Sequence, residues 1–350
     1  MTQCGLGWCR SMSDHAPREL IVHSVIRETH DAHSIVFEGP ALDYKPGQFL
    51  TLRIPSDREL TARCYSLSSS PYVDDLLKVT VKRTVDGYGS NWVCDNVAPG
   101  TTVEVLPPAG HFTPRDLTAD LLLFAGGSGI TPVISIIKSA LKRGRGKLTL
   151  VYANRDESSV IFGPELAELS KQHSDRLVVL HWLETVQGLP TSAQLGELVR
   201  PYVDGREAFI CGPGPYMDAV QSALRDLGVP RPLIHVEKFV SLSGSAWGEP
   251  VEVVDDGGPT STVHVELDGD TKELAWPQQS KLLDLLLAKG LDAPYSCRQG
   301  DCSACACKLL DGEVTMLNNN VLEQQDLDEG WILACQSLPL TEVVKVSYDA

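Results

Sequence analysis

Cys297-Arg-Gln-Gly-Asp-Cys302-Ser-Ala-Cys305, with Cys335 following after 29 intervening residues, decides how the C-terminal part of this chain folds. Two tetrahedral irons need four thiolates; a tight loop supplies three and a distant strand or turn the fourth, as in a [2Fe–2S] site. Gly300, Ser303, Ala304 and Ala306 are small, so backbone N–H groups can approach the sulfurs and stabilise an anionic cluster. A structural zinc site more often shows two Cys-x2-Cys units, and only one is present. Cys307, two residues past Cys305 on a strand-like stretch, is expected to pack rather than to ligate. Four of the ten cysteines crowd into this one stretch. Disulfides of a secreted chain would be spread more evenly, so a reducing cytosol is the expected compartment.

Working outward, residues 241–260 are rich in Ser, Gly, Pro, Asp and Glu, the composition of a linker. A unit of residues 261–350 follows it. Residues 18–112 hold short apolar runs bounded by Gly, Pro and Asp: Leu20–Val25, Ser34–Glu38, Phe49–Ile54, Leu76–Lys82 and Thr102–Leu106. That spacing predicts a small antiparallel barrel. Over residues 113–240 strand and helix patterns alternate, which predicts a parallel α/β sheet. Residues 1–17 read as a leader, with Met12 an alternative start, and no signal peptide is evident. Leu121 to Ile137 is uncharged, but Gly126, Gly127, Gly129 and Pro132 break it, so a strand, a turn and a helix are expected there and no membrane span. The net charge of −16 argues against nucleic-acid binding and is compatible with an electropositive protein partner or with solubility alone.

Arg63-Cys-Tyr65-Ser66 places an Arg and a Tyr on one face of a strand. A guanidinium binds a pyrophosphate, a ring covers an isoalloxazine, and a hydroxyl reaches a ring nitrogen. Gly87-Tyr-Gly89-Ser90 is expected to open a helix, whose N-terminus favours phosphate. Gly126-Gly127-Ser-Gly129-Ile-Thr131-Pro132 follows an apolar strand and precedes a helix, the setting of a phosphate-cradling turn. Pro132 stands where the strict dinucleotide fingerprint has its third glycine. Cys211-Gly212-Pro213 closes a later strand, at the carboxyl ends where α/β sheets bind ligands. Asn154-Arg155-Asp156 ends another strand. Asp156 suits a ribose hydroxyl and Arg155 a 2′-phosphate, so NADH and NADPH both stay open on local chemistry.

In this order the motifs resemble the ferredoxin–NADP reductase superfamily fused to a plant-type [2Fe–2S] ferredoxin domain, over roughly residues 18 to 350. The resemblance implies three units: an FAD-binding β-barrel, an NAD(P)-binding α/β domain and a β-grasp ferredoxin. It also implies that Arg63 meets the FAD pyrophosphate, Tyr65 stacks on the ring and Ser66 approaches flavin N5. Gly87 to Ser90 then resembles the second flavin motif, and Val81 joins the flavin-binding residues. Gly126 to Pro132 and Cys211 to Pro213 resemble the pyridine-nucleotide motifs. Glu237 and Phe239 fall where the superfamily often carries a Glu and an aromatic near the flavin, so Ser66, Cys211 and Glu237 are the expected catalytic residues. Carried over from plant-type ferredoxins, Cys297 and Cys302 would hold one iron, and Cys305 and Cys335 the other.

Within the superfamily, Arg63 to Pro71, Val79 to Arg83, Gly87 to Trp92 and Val321 to Gly330 resemble the reductase components of 3-ketosteroid 9α-hydroxylases, which serve steroid catabolism. That narrower likeness implies NADH, FAD and a Rieske-type oxygenase partner, with phenylacetyl-CoA epoxidase and phenol hydroxylase reductases more distant. Glu323, Asp326, Asp328 and Glu329 would either steer that partner or form a solvated helix face. Two other readings compete. A chain that oxygenates by itself would need oxygen-activating ligands, and no Glu-x-x-His or two-His-one-carboxylate set is evident. A redox-sensing interaction protein would turn over slowly with artificial acceptors.

Overall fold

Three main sheets follow one another along the computed structural model, which describes residues 17–55, 61–240, 242 and 258–350. Apart from Pro17, the expected leader lies outside the described residues, and so does the expected linker apart from residues 242 and 258–260.

The first sheet is β1 (Arg18–Arg27), β2 (Ala32–Glu38), β3 (Phe49–Ile54), β4 (Thr61–Ser66), β5 (Leu77–Lys82) and β6 (Thr102–Ala109). All pairings are antiparallel, in the order β4-β3-β6-β1-β2-β5. A bridge between Leu67 and Val79 joins the two edges into a barrel. Leu20, Ile35, Phe37, Leu50, Leu52 and Val79 fill it, and α1 (Tyr88–Asn96) packs Val93 onto that core. Closure removes the exposed edges that such a sheet would otherwise present.

The second sheet holds β7 (Leu121–Gly126), β8 (Leu148–Asn154), β9 (Leu177–Leu183), β10 (Glu207–Cys211) and β11 (Ile234–Glu237). Its order is β11-β10-β7-β8-β9, all parallel. Every residue of β7 is buried, as a central strand covered on both faces requires. The crossovers carry α2 (Ile130–Arg143), α3 (Gly163–Gln172), α4 (Glu184–Gln187), α5 (Ser192–Val199) and α6 (Gly214–Asp226). Pro132 is tolerated in the first turn of α2, where its missing N–H would be unpaired anyway.

Helix α2 is buried nearly all round because it packs on the barrel as well as on its own sheet. Several of its buried polar residues therefore find partners in the barrel. Ser135 Oγ donates to the Ser69 carbonyl at 2.6 Å, and Ser139 and Ser70 share a hydrogen bond of 2.8 Å. Lys138, 5% exposed, pairs with Asp74 at 2.7 Å and Glu165 at 3.0 Å. A buried ammonium is tolerated only when it is paired in this way.

The third region comprises β12 (Thr260–Leu267), β13 (Asp270–Pro277), α7 (Leu282–Ala288), β14 (Ala306–Asp311), β15 (Val314–Met316), α8 (Gln324–Asp328), β16 (Trp331–Leu333), β17 (Ser337–Pro339) and β18 (Val343–Ser347). The sheet runs β13-β12-β18-β14-β16, with β12 and β18 parallel and the rest antiparallel. Strands β15 and β17 form a separate ribbon. Leu282, Leu283, Leu285 and Leu286 of α7 join Val263, Val265, Trp276 and Val344 in its core. Cys307 is fully buried in β14, as a packing residue should be. No described helix is long and apolar enough to cross a membrane.

Candidate redox site

The four cysteines singled out by spacing come together. Cys297, Cys305 and Cys335 are 2–3% exposed, and Cys302 is partly buried. Cys297 is hydrogen-bonded to both Cys302 and Cys335, and Cys335 also to Cys305. The thiols thus form a linked row. Four thiols gathered in one place are what the two irons of a [2Fe–2S] cluster need.

Backbone amides converge on the sulfurs. Cys297 Sγ accepts from Gln299 N at 3.4 Å and Asp301 N at 3.3 Å, Cys302 Sγ from Cys297 N at 3.3 Å, and Cys305 Sγ from Cys335 N at 3.4 Å. The Cys302 and Cys335 thiols and these amides push Cys297 strongly toward the thiolate, while Cys302 and Cys335 are pushed up in turn. The loop reaches this shape through left-handed backbone at Arg298, Gly300 and Ser303. Arg298 is anchored by Asp284 at 2.5 Å. At Gly300 a Cβ would stand 2.8 Å from the Asn318 carbonyl oxygen, so the loop admits no side chain there.

The flavin motif lies on the strand behind that loop. Arg63 faces α1, where a Cβ on Gly89 would sit 2.7 Å from Arg63 Cγ, and Tyr65 packs against the barrel core. Glycine therefore lets the guanidinium stem pass under the helix start. Helix α1 has no side-chain cap and no acidic residue in its first turn, so its amides and Arg63 together suit a pyrophosphate. Gly87 is the N-cap, and Ser90 Oγ accepts from Thr84 N at 3.1 Å, which fixes the turn. Val81 has its side chain in the barrel core, so only its backbone can face a ligand.

Gly126 and Gly212 meet at the point where the strand order of the parallel sheet reverses. A Cβ on Gly126 would lie 2.7 Å from Pro213 Cδ, and one on Gly129 only 2.1 Å from the Cys211 carbonyl oxygen. Such crevices at strand carboxyl ends are where open α/β sheets bind ligands. Gly127 has a φ of +52°, a turn open to close backbone approach. Thr131 and Pro132 are buried at the start of α2, and Thr131 Oγ1 donates to the Ser128 carbonyl. Asp156 accepts from Ser158 Oγ, Ser159 N, Ser159 Oγ and Arg155 Nε. The serine hydroxyls and Arg155 hold its carboxyl well below the usual range, so it is charged.

Cys211 and Glu237 end neighbouring strands in register, and Ser66 Oγ donates to Glu237 Oε2 at 3.4 Å, long for such a bond. Burial pushes the Glu237 carboxyl up to about 8, opposed by the Ser66 hydrogen bond. Burial, then the Glu237 charge, pushes the Cys211 thiol well up, so it stays protonated. Phe239 is 51% exposed beyond β11.

Three features escaped the sequence. Thr51 and Cys64 of the barrel contact Ser296 beside Cys297. His111 bonds the Ala304 backbone and packs against Trp331. Asp326 and Glu323, read as either partner-steering or a solvated helix face, pair with Arg231 and Lys238 of the α/β unit. None of these has a local motif, because each joins distant parts of the chain.

The chain matches the oxidoreductase FAD-binding domain over residues 19–113, the oxidoreductase NAD-binding domain over 123–222 and the 2Fe-2S iron-sulfur cluster binding domain over 265–340. It is 56% identical over 345 residues to the 3-ketosteroid-9-alpha-monooxygenase ferredoxin reductase component of Rhodococcus rhodochrous, covering 95% of this chain and 98% of that one. It is 36% identical over 351 residues to a component of the 1,2-phenylacetyl-CoA epoxidase of Escherichia coli (strain K12), covering 95% and 97%. The fold is shared with phthalate dioxygenase reductase at a TM-score of 0.59 and 24% identity, over 95% of this chain and 98% of that one. The chain is therefore an oxidoreductase with FAD-binding, NAD-binding and [2Fe–2S] domains, and it belongs to the family of 3-ketosteroid-9-alpha-monooxygenase ferredoxin reductase components.

Proposed function

We propose that this protein accepts hydride from NADH and delivers electrons singly, by way of FAD and a [2Fe–2S] cluster, to a Rieske-type oxygenase that hydroxylates a 3-ketosteroid. Bound flavin supplies the change from two-electron to one-electron chemistry. The residues do the rest. Arg63 and the α1 amides (Gly87, Gly89, Ser90) hold the pyrophosphate, and Tyr65 covers the ring. Ser66 meets N5, with Glu237 keeping a proton behind it below about pH 8. The glycines of 126–129 and of Gly212, beside Cys211 and Pro213, leave room for the nicotinamide nucleotide. Charged Asp156 favours a ribose hydroxyl over a 2′-phosphate. Cys297 and Cys302 hold one iron, Cys305 and Cys335 the other.

The observation that carries this reading is that one strand, β4, carries the flavin motif and packs against the cluster loop. Its Arg63 lies under α1, its Ser66 reaches Glu237, and its Ala62 and Cys64 pack against Cys297 and Cys302. The 56% identity to the Rhodococcus rhodochrous protein supports the steroid system. A second reading, service to a different oxygenase, is supported by the 36% identity to the epoxidase component. In either case the protein works in the cytoplasm, with its flavin unit over residues 18–112, nucleotide unit over 113–240 and ferredoxin over 261–350.

Steady-state turnover with a candidate Rieske oxygenase, NADH or NADPH, and a 3-ketosteroid tests the proposal. Hydroxylation that requires both proteins and prefers NADH is expected. Rapid cytochrome c reduction with no steroid product would leave an electron-transfer reductase and remove the steroid assignment. Slow turnover with every acceptor would favour a redox sensor.

A further inference from the structure

Thr51 Oγ1 and Ser296 Oγ lie 2.6 Å apart, although 245 residues separate them in the chain. Each residue is 1% exposed. Cys64 Sγ completes the contact, 3.4 Å from Thr51 Oγ1 and 3.8 Å from Ser296 Oγ. Thr51 and Cys64 are register partners in the pairing of β3 with β4. Ser296 immediately precedes Cys297.

The surroundings are apolar. Ala62, Leu106 and Leu242 pack with Cys297, and Phe49 and Ala109 pack with Ala304. In such surroundings an unpaired hydroxyl is costly, so the two hydroxyls satisfy one another only when the ferredoxin unit is seated on the barrel. The rim is different. Lys238–Glu323 at 2.6 Å and Arg231–Asp326 at 3.3 Å are partly exposed pairs, individually weak and screened by salt. The directional, buried contacts in the seat are the hydroxyl pair, with Cys64 beside it, and the His111 bond to the Ala304 backbone. The hydroxyl pair, at 2.6 Å, is closer than either Cys64 contact.

The geometry points to Thr51 and Ser296 as positioning residues for electron transfer between flavin and cluster: their hydrogen bond sets how closely the cluster loop sits on the back of β4. This inference rests on the functional reading above. Neither residue touches a reacting atom; they act through the strand that carries Tyr65 and through the loop that carries Cys297. NADH supplies two electrons and one proton as hydride. Two successive one-electron transfers across the seat, each passed on to an external acceptor, account for both electrons, and the proton leaves to solvent. Transfer rates fall steeply with separation, so a looser seat slows this step and leaves hydride transfer alone.

Holoenzyme carrying Thr51→Val or Thr51→Ser tests this, because Thr51 is remote in sequence from every cluster cysteine. Anaerobic stopped-flow with NADH separates flavin reduction from cluster reduction, and hydrogen exchange reads the seat over residues 61–66 and 295–302 directly. In Thr51→Val, cluster reduction is expected to slow by about tenfold or more, with flavin reduction at the wild-type rate and faster exchange in both segments. Thr51→Ser, which keeps the hydroxyl, is expected to restore both readouts. Unchanged cluster reduction and unchanged exchange in Thr51→Val would overturn the inference while leaving the functional reading intact. A wild-type cluster that NADH never reduces would overturn the reading and the inference together.

Discussion

Cys211 and Glu237 close the parallel strands β10 and β11 as register partners, and Ser66 reaches the second of them from the barrel. Three segments far apart in sequence therefore meet where the barrel and the nucleotide unit join. Burial there raises the Glu237 carboxyl to about 8.

That shift makes stability depend on pH. A carboxyl raised on folding binds its proton more tightly in the folded chain than in the unfolded one, so its contribution is complete below about pH 4.5 and is lost as pH rises through about 8. The flavin-free protein should lose thermal stability across that window. Glu237→Gln, which cannot ionise, should flatten the dependence. Differential scanning fluorimetry over the same range checks it, and parallel curves for the two proteins would count against a neutral Glu237.

Asp156 carries a full charge held by two serines and Arg155. A 2′-phosphate brought to the end of β8 would meet a like charge. Asp156→Ser removes the charge and keeps a hydroxyl able to cap the short turn that follows. The ratio of kcat/KM for NADPH to that for NADH should rise by about tenfold or more. An unchanged ratio would place the discrimination elsewhere.

Two glycines should behave differently. Gly129→Ala drives a Cβ to 2.1 Å from a backbone carbonyl oxygen, which cannot move without shifting β10. Thermal or denaturant unfolding should show a loss of about 1–3 kcal/mol or more. Gly89→Ala meets the Arg63 stem instead, and a side chain can swing aside. Its fold should survive while FAD affinity falls by about tenfold, read by flavin fluorescence on titration of apo-protein.

Cys335→Ser should abolish the visible absorption of the cluster, because it removes one of four thiolates. Cys307→Ala should retain it and cost about 1–2 kcal/mol of stability, since Cys307 is buried in β14 outside the row of linked thiols. Iron and sulfide analysis of the purified variants distinguishes the two outcomes.

Much of the architecture is legible in the sequence. The apolar run Leu121–Phe124 and the glycine turn after it announce a strand of a parallel sheet and its ligand crevice, and the Cys297 loop announces its cluster by spacing alone. Alternation along Arg63 to Ser66 assigns the faces of β4. Other features are hidden for physical reasons. Thr51 and Ser296 carry no periodic or motif signal, since a hydroxyl on a strand reads as surface until its partner is known. Thr131 and Pro132 belong to the glycine motif, yet the start of α2 buries them. Val81 turns its side chain into the barrel. Helix α5 carries a local start signal, the capping box of Thr191 and Gln194, that the alternation of strand and helix patterns does not by itself reveal.

The most direct test of the central claim is rapid freeze-quench of the holoenzyme after mixing with NADH under anaerobic conditions, reading flavin by absorbance and the reduced cluster by electron paramagnetic resonance. The account predicts that flavin bleaches first, that the reduced [2Fe–2S] signal follows, and that adding the oxygenase discharges it. A cluster that stays oxidised beside a fully reduced flavin would contradict it.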